Sequence, residues 1–170
     1  MNEFQLKRLL SSSEEVEKKI ENYIRDETLV RQNVDDSEIQ GHIEKAKHNL
    51  NFVGDILKQK YTDWALVGCY YACYHIALAL IMKKGFSSKS HDATLTVIIK
   101  EYYKKEIDEN DIALINQSFL TSHDIMFYVQ SKTEREKASY SSKIVFDIKI
   151  VNEIMLKTRL FVNKALEIIK

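Results

Sequence analysis

Proline is absent from all 170 residues of this chain, and glycine occurs only four times. Sheet-rich folds turn often, and their turns draw on Gly, Pro and Asn where the backbone needs special geometry. A chain so poor in turn residues is restricted to long helices with few breaks. The apolar spacing agrees. Between Glu38 and Lys58, the residues Ile39, Ile43, Ala46, Leu50, Val53 and Leu57 recur at steps of three and four, which marks one core-facing helical stripe. The expected fold is all-α: an up-and-down antiparallel bundle of four to five helices with an N-terminal helical arm. The length suits one domain with a short extension, and its core needs no staple.

The arm covers residues 1–36 and the bundle residues 37–170. The arm is charge-dense and carries a weak stripe at Leu6, Leu9, Leu10, Val16, Ile20, Tyr23 and Ile24. Ser12 followed by Glu15 is a capping-box pattern, so a helix is expected to start near Ser13. Such an arm is marginal unless it docks on the bundle or on a partner protomer; its removal is expected to leave the bundle folded. After the polar break NVDDS, Asp36 or Ser37 can cap the next helix. Thr62 or Asp63 can cap a third, which runs to Gly85 and carries the small residues Ala65, Gly68, Ala72, Ala77 and Ala79. A fourth spans His91 to Tyr103, with Leu95, Ile98 and Ile99 inward. A fifth starts at Asp108 or Asn110, with Ile112, Ile115, Phe119 and Met126 as its stripe. The last runs from about Lys143 to Ile169, with Ile144, Ile148, Val151, Met155, Val162, Leu166 and Ile169 inward.

Basic and acidic residues balance at 25 each, so any nucleic-acid surface must be local rather than global. Cys69 and Cys73 stand four apart on one helix, where parallel Cβ vectors suit a disulfide poorly; both read as small core residues. Cys69, Cys73 and His75 cannot all face one way, so no metal site is expected. No segment reads as a membrane span, and no signal peptide is evident. A cytoplasmic location is the expectation. Walker A, GxGxxG, GxSxG and HExxH motifs are absent. Four glycines in all leave no phosphate-cradling loop.

The most distinctive stretch is Tyr70-Tyr71-Ala72-Cys73-Tyr74-His75, which crowds aromatic and imidazole rings into barely two helical turns. With Glu44-Lys45-Ala46 before it, Lys84-Gly85-Phe86 and Ser90-His91 after it, and Arg135-Glu136-Lys137-Ala138-Ser139-Tyr140 downstream, it resembles the HEPN family of small helical domains. The order and spacing of these blocks carry the resemblance from about Ile43 to Val162. That family includes ribonuclease toxins paired with minimal nucleotidyltransferase antitoxins, and catalytically silent relatives. The resemblance implies a homodimer with a composite cleft, no cofactor and, where active, metal-independent endoribonuclease chemistry. It implies Arg135 and Tyr140 as the motif pair. Lys132, Arg135 and Lys137 form a small basic cluster beside Tyr128 and Tyr140, a combination that can bind RNA phosphate or nucleotide with a stacked base and that an ordinary solvated linker also shows. The active motif pairs its arginine with a histidine, as proton carrier, four to six residues on. Here that place holds Tyr140, and a phenol with a pKa of about 10 is a poor base at neutral pH. His123 is off-motif. A non-catalytic dimeric scaffold or protein-interaction module is the alternative reading, in which the tyrosines serve packing.

Overall fold

The computed structural model describes residues 1–120 and 147–170. Its order is α1 (Glu3–Ser11), α2 (Ser13–Arg25), β1 (Leu29–Arg31), α3 (Asp36–Lys58), α4 (Thr62–Lys83), β2 (Phe86–Ser88), α5 (His91–Tyr102), α6 (residues 109–120) and α7 (Ile148–Ile169). The all-α bundle expected from the apolar spacing is the one observed.

Local chemistry sets most boundaries. Ser12 caps α2 by accepting from the Glu15 N–H, as its capping pattern indicates. Asp108 caps α6, accepting from the N–H groups of Asn110 and Asp111. The cap of α3 is Asp35, one position before the expected pair, because its carboxylate reaches the N–H groups of Ser37 and Glu38. Helix α4 starts without a side-chain cap; Thr62 lies buried inside its first turn instead. Gly85 follows α4 at φ +74°, the left-handed role assigned to it. Helix α7 begins at Ile148 rather than near Lys143, since Asp147 caps it by accepting from the Lys149 N–H. Ile148 itself is exposed, not inward. The residues Met126 and Ile144 assigned to stripes lie outside the described residues.

Helix α4 is the axis of the bundle and packs against α3, α5 and α7. From Ile76 to Met82 every residue is buried, so this helix has no polar face there. By length and composition it could cross a membrane, contrary to the sequence expectation, but 72% of its apolar window is buried inside the bundle. The antiparallel pair α3–α4 closes tightly at Gly68: a Cβ there would sit 2.5 Å from Val53 Cγ2 and 3.2 Å from Phe52 Cδ1. Gly54 has open space where its Cβ would be. Gly54→Ala is therefore expected to stabilise the fold by about 0.5–1 kcal/mol through helix propensity. Gly68→Ala is expected to be net destabilising, because overpacking costs about 1–3 kcal/mol and Val53 is fully buried. Thermal melts of the two variants should move in opposite directions.

An antiparallel ribbon, not anticipated from the sequence, pairs Leu29 with Ser88, Val30 with Ser87 and Arg31 with Phe86. It ties the arm to the turn after α4. The arm's stripe is core: Leu6, Leu9, Val16, Ile20 and Leu29 are buried in the same cluster as α4 and α5. Tyr102 closes the other side of that core, its hydroxyl donating to the Leu80 carbonyl at 2.8 Å.

Candidate functional site

The residues that carry the sequence-level site, Lys132, Arg135, Lys137 and Tyr140, lie outside the described residues, as do His123 and Tyr128. What the structure describes is the tyrosine-rich centre of α4 and the rings it gathers. Residues four apart on a helix share a face. Tyr70 and Tyr74 thus form one row, and Tyr71 and His75 a second beside it.

The first row faces α5 and α6. The Tyr70 hydroxyl lies 2.8 Å from His91 Nε2, and Tyr70 and Tyr74 both stack on the His91 ring, with centroids 5.7 and 5.2 Å away. Phe119 of α6 meets His91 edge-on at 4.5 Å and Tyr74 edge-on at 6.1 Å. His91 starts α5 as expected, with Ser90 as the cap, and its Nε2 is paired with the Tyr70 hydroxyl. The second row faces α3. His75 stacks on Tyr71 and lies with its Nδ1 3.0 Å from the Nδ1 of His42. Tyr74 touches His75 as well, at 5.6 Å, so the two rows form one continuous strip of tyrosine and imidazole rings. All its members except the buried Phe119 are half-buried: enclosed enough to be held, open enough to be reached.

Burial governs the protonation of this strip. It lowers the pKa of His91, and that of His42 with help from the Lys45 charge. His75 falls furthest, to about 4, through burial and the added opposition of His42 and Lys45. Burial likewise raises the Tyr74 phenol. Near neutral pH the three imidazoles and the Tyr74 phenol are thus uncharged. The thiols of Cys69 and Cys73 are pushed up to about 11 and about 12 by burial, so neither offers a thiolate. Both are core residues and unbridged. Among the described residues, no group of three or more His, Cys, Asp or Glu side chains could hold a metal ion.

The lowered imidazoles link stability to pH. A histidine whose pKa is below 6.5 in the folded state but near it in the unfolded state makes the unfolded chain bind more protons. Stability from this source is complete above about pH 6.5 and is lost as pH falls toward about 4. Urea midpoints should therefore decline between pH 6.5 and 4, and His75→Asn should flatten that decline.

A groove of about 510 Å³ lies between α3 and the end of α7, with Ile39, Ile43 and Leu166 among its lining residues. It shares no residue with the strip. Two of its lysines are already paired, Lys83 with Asp36 and Lys170 with Glu167. Its chemistry is therefore less suited to an anion.

Sequence reasoning found the tyrosines and His91 but missed His42 as the partner of His75. The available signal was the short turn between α3 and α4. An antiparallel pair closed near residue 60 sets positions roughly equidistant from that turn side by side, as it does for Val53 and Gly68.

Comparison with known proteins agrees with this architecture. The family model of the HEPN domain matches residues 39–167. No curated protein matches the chain.

Proposed function

This chain belongs to the HEPN domain family, and on that premise we propose that it is an RNA- or nucleotide-associated component of a HEPN/minimal nucleotidyltransferase module. The observation that carries this reading is the strip on α4. Half-buried tyrosine rings next to imidazoles are the chemistry on which unpaired bases stack, and base–aromatic stacking contributes about 1–3 kcal/mol per base. Arg135 supplies the phosphate contact, and Lys132 and Lys137 raise the local potential around it. Tyr140 donates a hydrogen bond or stacks on a base; it does not take a proton at neutral pH. The Arg135–Tyr140 pair by itself therefore binds rather than cleaves. Two copies assemble as a homodimer around a shared cleft, the commonest closed arrangement for such a chain. A cytoplasmic toxin-type role follows from the same family reading, and a small nucleotidyltransferase is the partner it calls for.

Anisotropy of a labelled single-stranded RNA tests this. Binding by the full chain is expected to weaken at least tenfold in Arg135→Ala. Unchanged binding in that variant would favour the dimeric scaffold instead.

A further inference from the structure

Between α3 and α4 the Nδ1 atoms of His42 and His75 lie 3.0 Å apart, with the ring planes tilted by 42°. A half-buried imidazole ordinarily sends a ring nitrogen to a carboxylate, a backbone carbonyl or water, which fixes its tautomer. Here each imidazole faces another imidazole. The contact is favourable only when one Nδ1 is bare and the other protonated, since two bare nitrogens or two N–H groups repel. A divalent transition ion uses the lone pairs of both nitrogens at once. Imidazole nitrogens bind Zn²⁺ at about 2.0–2.1 Å, so two of them in a tetrahedral shell stand about 3.3 Å apart. The observed 3.0 Å is within a few tenths of an ångström of that separation. Small pivots of the two rings cover the difference. The ion lies between the nitrogens that already face one another, and no other ring nitrogen is called on.

We infer that His42 and His75 form a two-histidine site for a divalent transition-metal ion of the Zn²⁺ class, which ties α3 to α4 beside the tyrosine strip. An all-imidazole donor pair suits Zn²⁺, Ni²⁺ and Cu²⁺ and disfavours Mg²⁺ and Ca²⁺, whose ligands are oxygens. Among the described residues no third His, Cys, Asp or Glu joins the pair. Water therefore completes the shell, as at metal sites that keep open positions. Both rings are half-buried rather than enclosed. Burial and the Lys45 charge already hold them neutral near pH 7. On binding, the one Nδ1 proton shifts to Nε2 of its own ring, so no net proton is released. The charged groups that face the pair are Lys45 and Glu38, both on α3. They act on a cation in opposite senses, and both are exposed to screening by salt. A bound ion replaces one hydrogen bond between the helices with two coordinate bonds. It also places positive charge beside Tyr71 and Tyr74, which contact His75.

The test is calorimetric titration of the full chain, stripped with EDTA and dialysed, with ZnCl₂ near neutral pH, beside thermal melts. The natural protein is expected to take up one Zn²⁺ per chain. Zn²⁺ at about 100 times its dissociation constant should raise the melting temperature by roughly 5–10 °C. Mg²⁺ and Ca²⁺ should do neither. His42→Gln and His75→Gln should each weaken Zn²⁺ binding about tenfold or more and abolish the thermal shift. The double variant should bind no more weakly than either single one, since each substitution already breaks the pair. His48→Ala, which removes an exposed histidine of the same helix, should bind as the natural protein does. Long-range ¹H–¹⁵N spectra of the natural chain should show the Nδ1 signals of both rings moving on saturation, a readout that needs no variant to fold. No saturable uptake by the natural chain up to about 100 μM Zn²⁺ overturns the site. Uptake that is unchanged in both glutamine variants, or that leaves the two Nδ1 signals in place, does so as well.

Discussion

A chain lacking residues 1–34 is expected to lose its cooperative melting transition. The family match begins at residue 39, so these residues stand outside the recognised domain. The sequence alone suggests a removable arm. Packing argues the opposite. Leu6, Leu9, Val16, Ile20 and Leu29 are all buried, and Leu29 is 0% exposed. Burying each such side chain contributes about 1.5–3 kcal/mol, so together the five contribute at most about 15 kcal/mol. That is on the scale of the whole stability of an ordinary domain, about 5–15 kcal/mol. Truncation would also remove β1, leaving β2 unpaired, and would uncover the face of α5 that packs on α2. Circular dichroism melts of the truncated and full chains decide the matter. A sharp transition in the truncated chain, within a few degrees of the full one, would show that the arm's packing contributes little.

The second large effect is expected at one side chain. Phe161 on α7 is 1% exposed and packed into the main core, while its neighbour Leu160 is 60% exposed. Phe161→Ala should cost about 3–5 kcal/mol, the sum of lost transfer energy and the cavity left behind. At about 2–4 °C per kcal/mol for a chain of this size, the melting temperature should fall by roughly 6–20 °C. Leu160→Ala should change stability by no more than about 0.5 kcal/mol, as expected of a surface position. A small effect at Phe161, or a large one at Leu160, would mean that α7 is rotated about its axis from the placement described here.

The fold was largely legible because helix signals are local. The Ser12–Glu15 cap, the stripe from Ile39 to Val53 and the left-handed Gly85 each follow from residues within a few positions of one another. The ribbon β1–β2 was not legible. Its strands are three residues long, and Phe86-Ser87-Ser88 shows too little alternation to read as a strand. The cap of α4 was misplaced because Thr62 and Asp63 have the right chemistry for a cap, yet Thr62 is drawn into the core. At the site, the tyrosine rows could be read from spacing, because residues four apart share a face. The contact between His42 and His75 spans two helices; the short turn between them brings these positions opposite one another, but the exact register depends on how the two helices pack. Arg135 and Tyr140 enter through the family's motif rather than through packing.

The most direct measurement of the central claim is the salt dependence of RNA binding. Each phosphate contact on a single strand contributes about 0.7 to the slope of log affinity against log salt. The natural chain is expected to bind single-stranded RNA with affinity that falls steeply from 50 to 200 mM salt. A variant with Lys132, Arg135 and Lys137 all changed to Ala should bind more weakly, with a slope shallower by about 2. No measurable binding by the natural chain at low salt, or identical slopes for the two proteins, would contradict an RNA-associated role centred on Arg135.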